Sequence, residues 1–303
     1  MPDLSLRFHK DMLVLSTPLQ SALNRQGVDV GLDMEMALLV EEDTLADLLR
    51  VESAAMAQCL VAPTEGLLPA RLLHKNMEGR LEELVQAAME LTEQTKAQHV
   101  LVELGPTGLP LDPSSKASLV ENRDQYVRSA RVFEQRGGFD AYFLNGFANV
   151  DSLRCALMGL RKASDRPVLV SFDVSADGTL AGGRESLEDA MAVAVEYGAA
   201  AAGFQTRAGR AAACKLTQRV ASACELPVIA QLQVVERKPR QFDATEENPY
   251  YRPETMIDAA LHLRAAGAQF LRATGNATPA YTGALAAAVM GADVAPARFA
   301  LGE

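Results

Sequence analysis

Short, uninterrupted apolar runs alternate along this chain with longer stretches in which apolar residues recur every three or four positions. The first kind comprises Met12–Thr17, Ala57–Thr64, Gln98–Gly105, Asp140–Phe147, Pro167–Val174, Ala199–Thr206, Pro227–Val234 and Gln269–Thr274. The second includes Leu81–Lys96, Asp124–Gln135, Asp151–Lys162, Leu187–Tyr197, Arg210–Ala223 and Glu254–Ala265. A strand that is apolar on both faces must be covered on both, which is the condition of a parallel sheet wrapped by helices. Eight such units predict an α/β protein with a closed (β/α)8 TIM barrel, a single domain over residues 1–303. No GxGxxG follows the first run, which weighs against an open dinucleotide-binding sheet. Glu236–Pro253 breaks the pattern with three prolines and many polar residues, so it is expected to be a surface loop of the kind that covers a barrel mouth.

Read with a period of two, the runs place polar side chains near their C-terminal ends. Leu101 and Glu103 share a face of the third strand, Phe143 and Asn145 of the fourth, and Ser171 and Asp173 of the fifth. Gln205 and Arg207 follow on the sixth, Gln231 and Gln233 on the seventh, Arg272 and Thr274 on the eighth. An unpaired buried polar group costs about 1–3 kcal/mol, so recurrence over six strands predicts either mutual pairing or a polar pocket. For a single pair, Asp173 with Arg272 is the expected structural partnership. For the cluster, the expectation is one cavity lined by Asn145, Asp173, Gln205 and Arg272.

The bulk chemistry narrows the function. At 49% hydrophobic residues the chain has ample core for one large barrel. A formal net charge of −10 leaves no concentrated basic patch for nucleic acid. No apolar run reaches membrane-spanning length, and Met1–Lys10 lacks the order of a signal peptide, so a cytoplasmic protein is expected. Cys59, Cys155, Cys214 and Cys224 show no CxxC spacing and read as buried reduced thiols. His9, His74, His99 and His262 share no metal-ligand spacing, and His99 reads as a hydrogen-bonded core residue. No GxSxG elbow, HExxH helix or Walker loop is present. The run Arg237-Lys238-Pro239-Arg240 reads as a solvated loop.

Three short segments carry a resemblance. Gly105-Pro106-Thr107-Gly108, then Asp177 to Gly183 (DGTLAGG), then Asn276-Ala277-Thr278-Pro279 follow apolar runs in an order and spacing similar to the homocysteine S-methyltransferase family. That family includes the barrel module of cobalamin-dependent methionine synthase, and the similarity runs from about Leu13 to the helix after Pro279. It implies a (β/α)8 barrel that activates a thiol on zinc held by three cysteine thiolates. Where the family ends its sixth strand in Gly-x-Asn-Cys, this chain has Gly203-Phe204-Gln205-Thr206. Where the family has a cysteine pair after the eighth strand, Thr274 and Gly275 stand. Neutral hydroxyls and a glycine do not make a tetrahedral zinc site, so no metal is expected. The family's acidic loop after the first strand is replaced by Ser16-Thr17-Pro18-Leu19-Gln20-Ser21, and its Glu-Thr pair on the fourth strand by Asn145-Gly146. Both lost acids are the resemblance's anchors for the ammonium group of homocysteine. Glu103, Asp173 or Glu65 are the residues left to substitute.

The resulting expectation is a divergent methyltransferase-type enzyme for a small polar or anionic substrate. Asn145, Asp173, Gln205, Arg207 and Arg272 would bind it, and Asp173 or Glu103 would handle a proton. No bound cofactor is expected. The chain carries no cobalamin or folate module, so a corrinoid donor would arrive on a separate protein. Two alternatives stand beside this: a non-catalytic binding barrel in a methyl-transfer or corrinoid system, and an ordinary homocysteine S-methyltransferase with other zinc ligands.

Overall fold

The fully apolar runs become eight parallel strands, β1 Leu13–Val14, β2 Cys59–Ala62, β3 His99–Leu104, β4 Ala141–Phe147, β5 Val168–Asp173, β6 Ala201–Thr206, β7 Val228–Val234 and β8 Ala268–Gly275. The structure is a computed structural model that describes residues 3–27 and 34–295. Each strand pairs in parallel with its sequence neighbour from β2 to β8, and β8 pairs with β1. The last seam, β1 to β2, is short: one parallel bridge joins Leu15 to Cys59. Backbone bonds from Gln58 N to Val14 O and from Ser16 N to Cys59 O, each 3.0 Å, complete it. Side chains assist there, because Gln58 Oε1 accepts from Val14 N and Ser16 Oγ from Val61 N, each at 2.9 Å. The sheet therefore closes into the expected (β/α)8 barrel.

Residues alternate between two cores. Val100, Val102, Leu144, Phe172, Phe204 and Leu271 face outward and pack under the helices. Leu13, Leu101, Phe143, Leu169, Ile229 and Phe270 face inward and fill the axis. A 3₁₀ turn, Leu4–Arg7, stoppers the N-terminal end by burying Leu4 among these inward residues. His99 lies there too, fully buried, with Nε2 3.5 Å from Arg7 Nη1 and Nδ1 without a hydrogen-bond partner. The hydrogen-bonded histidine expected from the strand is thus only weakly satisfied. Burial lowers its pKa, partly opposed by Asp140.

The periodic stretches become α5 Leu81–Glu93, α6 Lys116–Arg136, α7 Val150–Arg161, α8 Leu187–Glu196, α9 Arg210–Ala223 and α10 Glu254–Ala265. α6 starts eight residues before the expected Asp124, where Ser115 caps it by accepting from Ser118 N at 3.3 Å. Four helices have no counterpart in the expectation: α1 Gln20–Arg25, α2 Met34–Val40, α3 Glu42–Ala54 and α4 Pro69–His74. α11, Pro279–Val289, follows β8. Among the described residues no helix is long and apolar enough to cross a membrane. All four cysteines are free, but only Cys59 and Cys155 are buried; Cys214 and Cys224 are half-buried. Burial pushes the Cys59 thiol up to about 12, which keeps it inert.

The irregular segment 235–253 is a packed loop. Tyr250 donates its hydroxyl to Ala208 O at 2.9 Å, and Tyr281 of α11 donates to Tyr250 O at 3.0 Å. These bonds tie the loop to the β6–α9 connection beside the C-terminal rim.

Candidate functional site

Above the apolar plug, the barrel axis turns polar, and the inward parity of the strands decides which side chains meet. Glu103 and Arg272 form a forked ion pair, Nη1 to Oε1 and Nη2 to Oε2, both 3.1 Å. Arg272 is 1% exposed and also donates Nε to Ser16 O at 2.8 Å. Asn145 donates to Glu103 Oε1 at 2.6 Å, and Gln231 donates to Asn145 Oδ1 at 2.8 Å and Ser171 Oγ at 2.6 Å. The guanidinium lies 5.5 Å from the Phe143 ring centre, over the last apolar layer. Buried charges persist only when paired and hydrogen-bonded on all sides, and this layer meets that condition internally.

Arg272 therefore pairs with Glu103, not with Asp173. Asp173 lies at the end of β5 and accepts from Gln205 Nε2 at 2.9 Å. Burial raises its pKa above the usual carboxylate range; the Gln205 bond and the charge of Arg207 oppose this, and Glu65 adds to it. Arg207, exposed on the rim, donates Nε to Gln233 Oε1 at 2.9 Å.

A cavity of about 200 Å³ opens on the β1–β2 side of the mouth. Glu103 and Arg272 form part of its floor, and Thr17, Thr64, Glu65, Arg71, Glu35 and Lys75 contribute to its walls. Asn145, Asp173 and Gln205 are not among its lining residues, so the four residues expected around one cavity are divided. All four lie on the barrel-facing register, but the open space sits over β1 to β3, walled by helices the hydrophobic pattern does not announce. Two ion pairs frame it: Glu35 with Lys75, and Glu65 with Arg71 at 2.8 Å. The Gly105-Pro106-Thr107-Gly108 run explains part of this. A Cβ on Gly105 would lie 2.8 Å from Glu65 Oε1 and 2.9 Å from Arg71 Nη1, so a larger residue there would shift the ends of that pair.

Behind the cavity wall, Glu52 of α3 is fully buried and accepts from Thr17 and from Thr282 Oγ1, the latter at 2.6 Å. Its place was readable: it continues the apolar stripe Leu45, Leu48, Leu49 at helical spacing, and a charged residue in such a stripe needs partners. Burial raises its pKa, with the two hydroxyl bonds and Arg272 opposing. A carboxyl with a raised folded pKa adds stability below its unfolded pKa, and that stability is lost as pH rises through the folded value. Glu52→Gln is therefore expected to gain on the wild type with rising pH, in urea unfolding between pH 4 and 8. A deficit independent of pH would show that Glu52 does not titrate with folding.

The rim of β6 and β8 carries the positions where the resemblance places zinc ligands. Thr206 keeps the outward parity of Phe204 and accepts from Ala208 N at 3.2 Å. Thr274 faces the barrel, and its buried hydroxyl has no partner; Gly275 follows with φ +65°. Two neutral hydroxyls pointing to different layers, with a glycine, do not suit zinc. Among the described residues, no group of three or more His, Cys, Asp or Glu side chains is placed to hold a metal.

The family model for homocysteine S-methyltransferase matches residues 15–289. No curated protein matches the sequence. Among solved structures, the homocysteine methyltransferase MmuM of Escherichia coli is similar. Its metallated form has 16% identity and a TM-score of 0.75, over 91% of this chain and 96% of that one. Its oxidized form gives 17% and 0.74 over the same shares. The carboxyl transferase domain of Rhizobium etli pyruvate carboxylase with oxamate and biotin is more distant. It has 15% identity and a TM-score of 0.56, over 94% of this chain and 44% of that one. At these identities, the likeness bears on the fold.

Proposed function

The chain belongs to the homocysteine S-methyltransferase family, and from that premise we propose that it is a methyltransferase for a small polar or anionic substrate, working without a zinc–thiolate site. The observation that carries the reading is the donor set on the β6–β8 rim, Thr206, Thr274 and Gly275. Zinc would make a thiol nucleophilic by lowering its pKa. Without it, a protein base must take the proton as the acceptor atom attacks the methyl group. Asp173 suits that role, because burial makes its carboxylate a stronger base and Gln205 orients it. The methyl group is supplied from outside the chain, by a small donor or by a methylcorrinoid on a separate protein.

The polar layer favours a second reading. Glu103, Asn145, Gln231 and Arg272 satisfy one another, which suits a non-catalytic barrel that binds a partner in a methyl-transfer or corrinoid system.

The test begins with homocysteine and S-methylmethionine, betaine or methylcobalamin, with and without added zinc. The expected result is no methionine, and no stoichiometric zinc by elemental analysis of the purified protein. Robust methionine formation, or zinc that survives a mild chelator, would overturn the zinc-independent reading. A screen of small acceptors then separates the two readings. For the enzyme, Asp173→Asn is expected to cost about 10²–10⁴ in rate and to abolish the rise of rate with pH. A screen without any turnover would support the binding barrel.

A further inference from the structure

The rim that carries Thr206, Thr274 and Gly275 also opens into a cavity of about 320 Å³, separate from the one above β1 and β2. Its lining includes Asn24, Arg207, Gln233, Gly275 and Asn276, and among the described residues it contains no acidic one, in a chain with a net charge of −10. Among the described residues, Arg207 is the only charged side chain in that lining. We propose that this cavity is a carboxylate-binding site, with Arg207 as its principal ligand; the proposal deepens the reading above by naming the substrate's recognised group.

The argument rests on how Arg207 is held. A guanidinium has two edges that can fork onto a carboxylate, Nε with Nη2, and Nη1 with Nη2. Gln233 Oε1 occupies Nε at 2.9 Å, which fixes the plane of the group and leaves the outer edge for a ligand. No ion pair within 4 Å engages Arg207 among the described residues, whereas Arg71 and Arg272 on the other side of the mouth are both paired. The amide side chains of Asn24 and Asn276 lie in the same lining and supply neutral donors. Arg25 borders the cavity, with Nη2 3.4 Å from Asn276 O, and adds positive charge.

Thr274 stands next to the site but is not among the residues that line this cavity. It is 2% exposed, faces the barrel directly before Gly275 on β8, and its hydroxyl has no partner. Asp173 feels the Arg207 charge, so a carboxylate bound there would stand near the residue assigned to proton transfer. One planar fork with neutral amides suits a carboxylate better than a phosphate, whose extra charge calls for more cations.

Saturation-transfer NMR with acetate, succinate and glutarate, and with inorganic phosphate followed by competition, tests this at constant ionic strength. The wild type is expected to bind at least one carboxylate saturably, and more tightly than phosphate. Arg207→Gln should weaken binding at least tenfold and Arg207→Lys less, because the lysine keeps the charge but loses the fork. Arg25→Gln should weaken it less than Arg207→Gln. Circular dichroism should show each variant folded, as expected for an exposed rim residue. Binding unchanged in Arg207→Gln, no carboxylate binding, or tighter binding of phosphate would each overturn the proposal. No methyl donor is present, so failure here leaves the methyl-transfer reading untouched, and failure of turnover leaves this one untouched.

Discussion

Glu103→Ala is expected to destabilise the barrel by about 3–5 kcal/mol, because it strands a buried guanidinium without its counter-charge. Arg272 is 1% exposed, and both oxygens of Glu103 are committed to it. The same substitution removes the acceptor of Asn145, which in turn positions Gln231, so the loss spreads through the layer. Much of the effect would come from the unpaired arginine and not from the attraction itself. The double replacement Glu103→Leu with Arg272→Met should therefore recover a large part of the loss, since it removes both charges from the interior. Urea unfolding of the wild type, each single variant and the pair gives the coupling directly. A single variant within about 1 kcal/mol of the wild type, or a pair no better than the sum of its singles, would show that the interior is wetter than its geometry implies.

Gly203→Ala is expected to cost about 3 kcal/mol or more, or to prevent folding. Gly203 faces the barrel axis between Ser171 of β5 and Ile229 of β7. An added Cβ would lie 1.8 Å from Ile229 O and 2.6 Å from its carbonyl carbon. Those are backbone atoms in a parallel ladder, so they cannot rotate aside as a side chain would; β7 itself must move and lengthen its hydrogen bonds to β6. Gly209→Ala serves as the control, because nothing lies within 4 Å of its Cβ position. Circular dichroism and urea midpoints on the two variants would decide it. Equal stability of the two would show that β6 and β7 can part at Gly203 without loss.

Regularity made some features readable in advance. β3 to β7 fall within the expected apolar runs because a strand buried on both faces has no room for a polar interruption until its end. The same period of two put Leu101 and Phe143 on the inner face with Glu103 and Asn145, and grouped Ser171, Gln231 and Arg272 with the barrel-facing positions. Three of the four helices missed at the start were not readable. α1, α2 and α4 have six or seven residues, too few turns for a periodic pattern to stand out, whereas the longer α3 carries the stripe Leu45, Leu48, Leu49 and Glu52 at helical spacing. α2 and α4 supply Glu35 and Arg71, with Lys75 directly after α4, and so the wall of the β1–β2 cavity was missed with them.

The sequence alone determined the barrel, the inward set of polar residues and the presence of Thr206, Thr274 and Gly275 on the β6–β8 rim. Each depends on residue type and on a local repeat, which a one-dimensional pattern preserves. Only the tertiary structure decided partners. That Arg272 takes Glu103 across 169 positions of chain, while Asp173 takes Gln205, follows from which inward side chains share a height on the axis. Height is set by the stagger of strands around the closed sheet, and stagger belongs to the assembled barrel and to no single segment.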